Sequence, residues 1–245
     1  MKNTDLSIII PAYNEEKRLL GSLEEILEKA GSLFATVELI IVDDGSTDAT
    51  AEIAEGFMRS CNNSGRVIRI PENRGKGYAV RQGMLESSGS LTLMTDADLS
   101  TPIEELERLA LLMEEKEADM IIGSRGLFAS DIRVHQPWYR EYGGKAFNFF
   151  VRAITSLPYR DTQCGFKLFR TGVCRKVFEK QRIDRFAFDV EVLFIAERIG
   201  LKVVEEPVIW RHAEGSKVNM LPDSVRTFSE LIHIRWNNFR GMYKI

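Results

Sequence analysis

Cysteine and histidine are scarce in this sequence. The 245 residues include three cysteines, Cys61, Cys164 and Cys174, and three histidines, and the cysteines do not have the spacing of a metal site. A small, odd number of cysteines is typical of a reducing compartment and argues against a disulfide framework. No histidine lies near Cys164 in the sequence, so we expect this thiol to pack in the core and not to act as a nucleophile.

The sequence also lacks a long hydrophobic run, a strong excess of charge and a dinucleotide fingerprint. No apolar stretch approaches the ~20 residues that span a bilayer. Residues 1–5 lead directly into a predicted strand, so we expect no signal peptide. The 33 basic and 36 acidic residues leave a net charge of -3, which argues against a general nucleic-acid binder. No G-x-G-x-x-G motif follows the first predicted strand, which weakens the case for dinucleotide binding.

What the chain does contain is an alternation of short apolar strands and amphipathic helices. Apolar and β-branched runs predict strands at 6–10, 37–42, 66–70, the run ending at 94, 120–123, 163–170 and 202–207. Helical spacing of apolar residues predicts helices at 19–30, 51–58, 77–87, 102–116, 171–180, 189–199 and from 222 onward. The predicted fold is an α/β domain, residues 1–220, with a mostly parallel sheet flanked by helices, and a C-terminal amphipathic helix, residues 221–245.

The strand that ends at Met94 is followed at once by two acidic residues, Asp96 and Asp98. Alternate residues of a strand share a face, and ligands bind at the carboxyl edge of a parallel sheet, so these carboxylates are expected to converge there. Adjacent carboxylates repel unless a proton or cation lies between them, and hard oxygen ligands suit Mg²⁺ or Mn²⁺. The alternative for a lone D-x-D motif is a solvated turn with helix-capping acids. A capping box from Thr101 to Glu104 predicts that the next helix starts at Pro102.

Several motifs resemble those of the family-two inverting glycosyltransferases, in the order in which that family has them. The first group is Pro11–Glu16, Val42–Asp48, Asn73–Gly77 and Asp96–Asp98. The second group resembles the branch that acts on polyprenyl phosphates, the dolichyl-phosphate β-glucosyltransferases first and the dolichyl-phosphate mannose synthases second. Its motifs are Gly123–Arg125, Arg160–Lys167, Phe186–Glu191 and Glu214–Lys217. The resemblance runs from residue 6 to about residue 220 and implies a GT-A-type, Rossmann-like fold.

The resemblance implies a nucleotide-sugar site at the ends of the first strands. Pro11, Tyr13 and Glu15 would line the nucleoside pocket. Val42 and Asp44 would lie beside the base, because an acid after a strand can accept hydrogen bonds from base or ribose donors. Helix capping is the alternative for Asp44. The other residues implied at this site are Lys76, Asp96 and Ala97.

The same resemblance assigns a metal ion to Asp96 and Asp98 and counts Asp98 among the catalytic residues. A divalent cation, Mg²⁺ or Mn²⁺, would act as a Lewis acid that takes up charge as the nucleotide diphosphate leaves. The mannose synthases have a glutamine two residues beyond the motif, where this chain has Ser100. Water or the serine hydroxyl would then replace that ligand.

A phosphate acceptor changes the chemistry expected of the site. A phosphate monoester has a second pKa near about 6, so it is already largely a dianion and needs positioning more than deprotonation. Arginine and lysine position phosphates, and arginine can grip two oxygens at once. The cations expected there, each of which would otherwise be a solvated surface residue, are Arg125, Arg140 and Lys217, with Arg125 and Lys217 counted as catalytic. Asp189, also counted as catalytic, and Glu191 would order these cations or act as a base, and only one of them is expected to face the site.

These features predict inverting transfer of a hexose to a polyprenyl phosphate, glucose from UDP-glucose first and mannose from GDP-mannose second. The alternatives are transfer to a polysaccharide or soluble acceptor, and an inactive module that binds a nucleotide sugar or a partner protein. Residues 211–245 hold more basic than acidic residues, and one predicted helical stripe carries Val225, Phe228, Ile232, Trp236, Phe239 and Tyr243. Such a stripe packs on the domain or lies on a membrane, and we expect its end, from Trp236, to meet lipid. The predicted location is cytoplasmic, peripheral at the cytoplasmic face of a membrane, with a membrane partner protein as the other means of access.

Overall fold

The computed structural model describes residues 5–61, 65–134, 148–211 and 220–244. The strands are β1 (Asp5–Ala12), β2 (Thr36–Asp43), β3 (Gly65–Arg69), β4 (Leu91–Met94), β5 (Met120–Ser124), β6 (Asp131–Val134), β7 (Lys167–Arg170), β8 (Val203–Pro207) and β9 (Ile209–Arg211). The helices are α1 (Leu19–Leu33), α2 (Thr50–Ser60), α3 (Lys76–Glu86), α4 (Glu105–Glu115), α5 (described over 148–155), α6 (Thr171–Lys180), α7 (Phe188–Arg198) and α8 (Met220–Phe239). Among the described strands, seven form one sheet in the order β3-β2-β1-β4-β7-β5-β8, and β6 pairs with β9.

The main sheet is mostly parallel, which confirms the predicted fold class. β1 pairs in parallel with β2 and β4, β2 with β3, and β5 with β8. β7 runs antiparallel to both of its neighbours, β4 and β5. The sequence pattern did not predict this reversal, because a four-residue apolar strand looks the same in either direction.

Apolar side chains fill both faces of the sheet. Ile8 and Ile10 of β1 belong to a cluster with α1 and α4, whereas Ile9 belongs to a second cluster with α3, α6 and α7. Consecutive residues of a strand point to opposite faces, so residues 6–10 of β1 are buried between the two layers. α8 joins the second cluster through Leu231 and Ile234. The division of the chain at residue 220 therefore stays a prediction.

Three local features differ from those predicted. α4 begins at Glu105, with Glu104 at its N-cap and no side-chain cap, so the predicted helix start at Pro102 with a capping box is wrong. A turn occupies these residues instead, in which the N–H of Glu105 donates to the carbonyl of Pro102 at 3.1 Å. The segment 126–145, in which no strand was predicted, contains β6, and residues 135–147 lie outside the described part of the chain. α5 and β9 were not predicted.

Within the described ranges, no helix, including the 20-residue α8, is long and apolar enough to cross a membrane.

Candidate active site

The carboxyl ends of β1, β2 and β4 lie side by side at one edge of the main sheet. Ile9 of β1 pairs with Ile40 of β2 and with Met94 of β4. Just beyond the strand ends, the backbone N–H groups of Asp44 and Thr95 donate to carbonyls of β1 at 2.9 and 3.1 Å. The edge therefore brings together the three segments that carry the predicted donor-site residues other than Lys76, which begins α3.

Asp44 follows β2 and holds the loop that leads into α3. Its carboxylate accepts hydrogen bonds from the backbone N–H groups of Arg74 at 2.9 Å and Gly75 at 2.7 Å, and from the Asn73 amide at 3.0 Å. Burial raises the pKa of Asp44, and the backbone donors oppose this rise. Gly75 has a φ of 116°, and a Cβ there would lie 2.5 Å from a backbone oxygen. Asp44 thus fixes the loop that presents Lys76, and its predicted contact with a base stays a prediction.

Asp96, the first acid of the D-x-D motif, is enclosed on two sides. The ammonium of Lys76, the first residue of α3, lies 2.5 Å from its Oδ1. A Cβ on Gly165 would lie 1.9 Å from its Oδ2, so any larger residue there would displace this carboxylate. Burial opposes ionisation, but Lys76 and other nearby cations hold the pKa of Asp96 below its ordinary value. Burial likewise opposes the Lys76 ammonium, but Asp96 raises the pKa of Lys76, so both groups are charged at neutral pH.

Asp98 lies in the turn after β4 and is partly exposed. Its Oδ1 accepts the backbone N–H of Ser100 at 2.9 Å, and its Oδ2 lies 3.9 Å from Arg18. The Arg18 guanidinium is held by Glu15, which accepts hydrogen bonds from Nε and, at 2.8 Å, from Nη2. Glu15, predicted to line the nucleoside pocket, therefore positions an arginine beside the D-x-D motif.

The other predicted donor-site residues differ in exposure. Pro11 and Tyr13, at the end of β1, are half-buried, whereas the side chains of Val42 and Ala97 are buried. The carbonyl of Ala97 accepts a hydrogen bond from the Ser22 hydroxyl at 2.7 Å. A contact from Val42 or Ala97 to a ligand would use backbone atoms, and these assignments stay predictions.

Arg125 follows β5 and forms a two-pronged ion pair with Asp161. Its Nε and Nη2 lie 2.6 and 2.9 Å from the two carboxylate oxygens, and its backbone N–H donates to the same carboxylate at 3.0 Å. Burial favours the neutral acid, but Arg125 lowers the pKa of Asp161 to about 2. The guanidinium lies over the ring of Trp210 in β9, 5.7 Å from its centroid. The Arg125 side chain is 30% exposed, and its contact with an acceptor phosphate stays a prediction.

The motif Arg160–Lys167 contributes three residues that were not predicted at the site. Asp161 pairs with Arg125, Gly165 lies against Asp96, and Lys167 is completely buried. The signal that was available was the resemblance of the whole motif to the polyprenyl-phosphate branch. The roles of the individual residues became apparent only from their contacts with residues far away in the sequence.

Lys167 links Asp189 to the backbone of Cys164, the residue before Gly165. Its ammonium donates to the Asp189 carboxylate at 2.6 Å and to the Cys164 carbonyl at 2.5 Å. Asp189 lies in the first turn of α7, where burial raises its pKa and Lys167 opposes the rise. Of the two roles considered for Asp189, these contacts favour ordering over proton abstraction.

Glu191 engages a different part of the structure. Its carboxylate accepts hydrogen bonds from the backbone N–H groups of Arg182 at 2.8 Å and Ile183 at 2.7 Å, and from the Tyr243 hydroxyl at 2.5 Å. It therefore links α7 to the C-terminal residues. Arg140 and Lys217, predicted at the acceptor phosphate, lie outside the described residues.

The side chains of the D-x-D motif and of Ser100 offer oxygen atoms that could coordinate a divalent cation. Asp96 and Asp98 offer carboxylate oxygens, and Ser100 offers a hydroxyl. Among the residues that the structure describes, no group of three His, Cys, Asp or Glu side chains is placed to hold a metal ion. Magnesium sites at phosphates commonly use one or two carboxylates and take their other ligands from water and the substrate. The residues present therefore fit a cation that completes its coordination on a nucleotide diphosphate.

Comparison with known sequences identifies the family. The profile of glycosyl transferase family 2 matches residues 7–178. A dolichyl-phosphate beta-glucosyltransferase from Dictyostelium discoideum is 35% identical over 253 residues, which cover 99% of this chain and 77% of that protein. Proteins with the same name from Drosophila melanogaster and Homo sapiens are 39% and 34% identical, covering 87% and 98% of this chain and 69% and 78% of theirs.

Solved structures show the same fold. Glucosyl-3-phosphoglycerate synthase from Mycobacterium tuberculosis, in complex with Mn²⁺, UDP and glucosyl-3-phosphoglycerate, has a TM-score of 0.67 at 18% identity, covering 94% of this chain and 78% of that chain. Mannosyl-3-phosphoglycerate synthase from Rubrobacter xylanophilus has a TM-score of 0.63 at 16% identity, covering 99% and 76%. The predicted GT-A fold is thereby confirmed. On the match of its profile and the identity of its relatives, the chain belongs to glycosyl transferase family 2.

Proposed function

We propose that this protein transfers glucose, with inversion, from UDP-glucose to a polyprenyl phosphate of the dolichyl type. The observation that carries the proposal is its 34–39% identity to proteins named dolichyl-phosphate beta-glucosyltransferase, over 87–99% of the chain. The arrangement of charges at the sheet edge supports both halves of this reaction.

On the donor side, Asp96 and Asp98 would hold Mg²⁺ or Mn²⁺. When bound, the cation acts as a Lewis acid that stabilises negative charge on the departing nucleotide diphosphate. A neighbour with the same fold carries Mn²⁺ together with UDP, which supports a divalent cation here. Lys76, 2.5 Å from Asp96, would reach the same diphosphate and add a second positive charge. Pro11, Tyr13, Glu15, Val42, Asp44 and Ala97 would bind the nucleoside and sugar around it.

On the acceptor side, the phosphate is itself the nucleophile. One of its oxygens attacks the anomeric carbon from the face opposite the diphosphate. The bond from that carbon to the diphosphate oxygen breaks, and the nucleoside diphosphate leaves with the electron pair. Because a dianionic phosphate has no proton to lose in this step, a general base is not required. The ion pair of Asp189 with Lys167 is consistent with a reaction that uses no general base.

Positioning of the acceptor phosphate falls to Arg125, Arg140 and Lys217. Asp161 holds Nε and one N–H of Nη2 of Arg125, which fixes the plane of the guanidinium and leaves its other donors directed elsewhere. A fixed guanidinium loses less conformational freedom when it binds a phosphate, so the pair with Asp161 prepares the arginine for this contact.

A lipid acceptor requires contact with a membrane, and α5 and α8 expose side chains suited to it. We name these the aromatic patch: Phe149, Phe150, Phe228, Ile232, Trp236 and Phe239. Phe150 of α5 meets Phe228 of α8 edge-on, with ring centroids 5.9 Å apart, so the patch spans both helices. Aromatic side chains favour the headgroup level of a bilayer, and the exposed Arg235 on α8 and Arg240 just beyond it would be attracted to anionic lipids. The proposed location is the cytoplasmic face of a membrane.

The aromatic patch differs from the predicted stripe at its C-terminal end. Tyr243 is buried and bonded to Glu191, so it belongs to the core and not to a lipid-facing surface. Phe228 and Ile232, which lie before the expected exposed end, are exposed. The boundary between packing and exposure therefore runs along the faces of α8 and does not divide its first turns from its last.

A donor panel tests the proposed function. Purified protein is incubated with polyprenyl phosphate, Mg²⁺ or Mn²⁺, and labelled UDP-glucose, GDP-mannose or other nucleotide sugars, and the lipid product is counted. The expected result is a glucosylated lipid from UDP-glucose that disappears with a chelator. Preferential use of GDP-mannose would replace glucose by mannose, and the absence of turnover with every donor would contradict an active transferase.

A further inference from the structure

The contact between Lys76 and Asp96 places a protein cation beside an oxygen that a metal ion would use. The Nζ of Lys76 lies 2.5 Å from Oδ1 of Asp96, and both side chains are partly buried. The Gly165 backbone packs close to the other oxygen of this carboxylate, because an atom added at its Cβ position would lie 1.9 Å from Oδ2. Lys76 therefore occupies the Oδ1 side of Asp96, where a metal ion would compete with its ammonium.

Among the residues that the structure describes, the charges around the motif are paired with one another. Arg125 is paired with Asp161, Lys167 with Asp189, and Glu15 accepts two N–H groups of Arg18, whose guanidinium lies 3.9 Å from Asp98. Within this described part of the site, the D-x-D motif and its direct partner then contribute the charges of Asp96, Asp98 and Lys76. Together these three carry one negative charge.

The charge balance favours binding of the metal ion and the diphosphate together. A divalent cation alone would give this group one positive charge, with the Lys76 ammonium facing the metal ion. The diphosphate of a nucleotide sugar, with about two negative charges, would alone give it three negative charges. Both ligands together restore one negative charge and give the displaced ammonium a phosphate oxygen to bind.

We propose that the Lys76 ammonium holds the place of the divalent cation beside Asp96 and moves onto the diphosphate when metal and nucleotide bind together. This inference rests on the proposed function, since it takes the D-x-D motif as the metal site. It makes metal and nucleotide binding mutually dependent, with the same coupling factor in either order. It also predicts that the two carboxylates bind a divalent cation weakly when no nucleotide is present.

The test measures binding of Mn²⁺, not turnover. Free Mn²⁺ is followed by its electron paramagnetic resonance signal in titrations of the protein, with and without UDP, and the direct binding of Mn²⁺ to UDP is subtracted in matched titrations without protein. In the original protein, UDP should tighten Mn²⁺ binding by about tenfold or more. Lys76→Met should tighten Mn²⁺ binding to the nucleotide-free protein by about tenfold and should shrink the effect of UDP.

Two further variants separate this effect from a general loss of charge. Lys29→Met removes a lysine that pairs with Glu107 on the surface, and it should bind Mn²⁺ as the original protein does. Asp96→Asn, added to Lys76→Met, should abolish the gain. Thermal unfolding checks that each variant is folded, and Lys76→Gln carries the same expectation should the methionine variant not fold.

The outcomes separate this inference from the metal assignment itself. Unchanged or weaker Mn²⁺ binding by nucleotide-free Lys76→Met, alongside UDP-dependent binding in the original protein, would overturn the inference and leave the metal site standing. Failure of every variant to bind Mn²⁺, with or without UDP, would overturn both.

Discussion

The ion pair between Arg125 and Asp161 gives a prediction whose size can be worked out from the structure. Asp161→Asn keeps the shape of the side chain but removes its charge, which leaves the Arg125 guanidinium without its counter-ion. The carboxylate is buried, and both of its oxygens lie within 3.0 Å of donors on Arg125. Loss of this charge should therefore lower the stability of the fold as well as loosen the arginine.

The pKa of Asp161 sets the magnitude and its dependence on pH. An ordinary aspartate has a pKa of about 3.9, against about 2 for Asp161 in the folded protein. This difference corresponds to about 2.5 kcal/mol of stability at neutral pH. Because the folded pKa is the lower one, the contribution is present above about pH 4 and is lost as the pH falls toward 2. At pH 3 about 1.3 kcal/mol should remain.

Urea denaturation of the two proteins at several pH values measures this contribution. The free energy of unfolding of Asp161→Asn should be about 2.5 kcal/mol lower than that of the original protein at pH 7, and the gap should roughly halve by pH 3. Glu107→Gln is the matched control, because it breaks an exposed pair with Lys29 and should cost less than about 1 kcal/mol.

Two results would refute this reasoning. A gap of less than about 0.5 kcal/mol at pH 7, no larger than the usual effect of a surface substitution, would show that the pair contributes little to stability. A gap that stays constant from pH 7 to pH 3 would show that the Asp161 charge is not its source.

Three other changes have defined outcomes. Gly165→Ala should displace the Asp96 carboxylate and weaken Mn²⁺ binding in the presence of UDP, with little loss of secondary structure by circular dichroism. Unchanged Mn²⁺ affinity would contradict the close contact of Gly165 with Asp96. Arg125→Ala should slow transfer to polyprenyl phosphate by about ten- to a hundredfold with a smaller effect on donor hydrolysis, and Arg125→Lys should recover only part of the loss; equal losses in both reactions would argue against a phosphate contact. The double variant Trp236→Ser, Phe239→Ser should co-sediment less with anionic vesicles, whereas Leu111→Ser, at a similarly exposed position on α4, should sediment as the original protein does. Equal sedimentation of the original protein and both variants would leave membrane access to a partner protein.

The sequence was sufficient to predict the succession of most strands and helices along the chain and the edge of the sheet where the acids lie. Apolar strands such as β1 and β2 are short and β-branched, and parallel strands place their carboxyl ends at one edge. The position of Asp96 at that edge followed from this rule, whereas the place of Asp44 in the site was implied by the family resemblance. The partners of Asp96 did not follow from the rule, because Lys76 and Gly165 reach Asp96 from segments 20 residues before it and 69 residues after it.

Features set by tertiary contacts escaped the sequence pattern. Asp161 lies 36 residues from Arg125, and no periodicity links the two. Helical spacing of aromatic residues is the same whether they face lipid or protein, so the pattern that included Tyr243 could not show that this residue, beyond the end of α8, is buried and donates to Glu191 of α7. The reversed direction of β7 depends on its neighbours in the sheet, which a four-residue strand does not encode.

Transfer to a phosphorylated lipid is the central claim, and a direct comparison of acceptors tests it. Purified protein with labelled UDP-glucose and a divalent cation is given either a polyprenyl phosphate or the polyprenol of the same chain length, which lacks the phosphate. The account predicts a labelled, β-linked glucosyl phosphate from the first lipid and no product from the second. Equal labelling of the polyprenol, or a product that retains the α configuration of the donor, would contradict it.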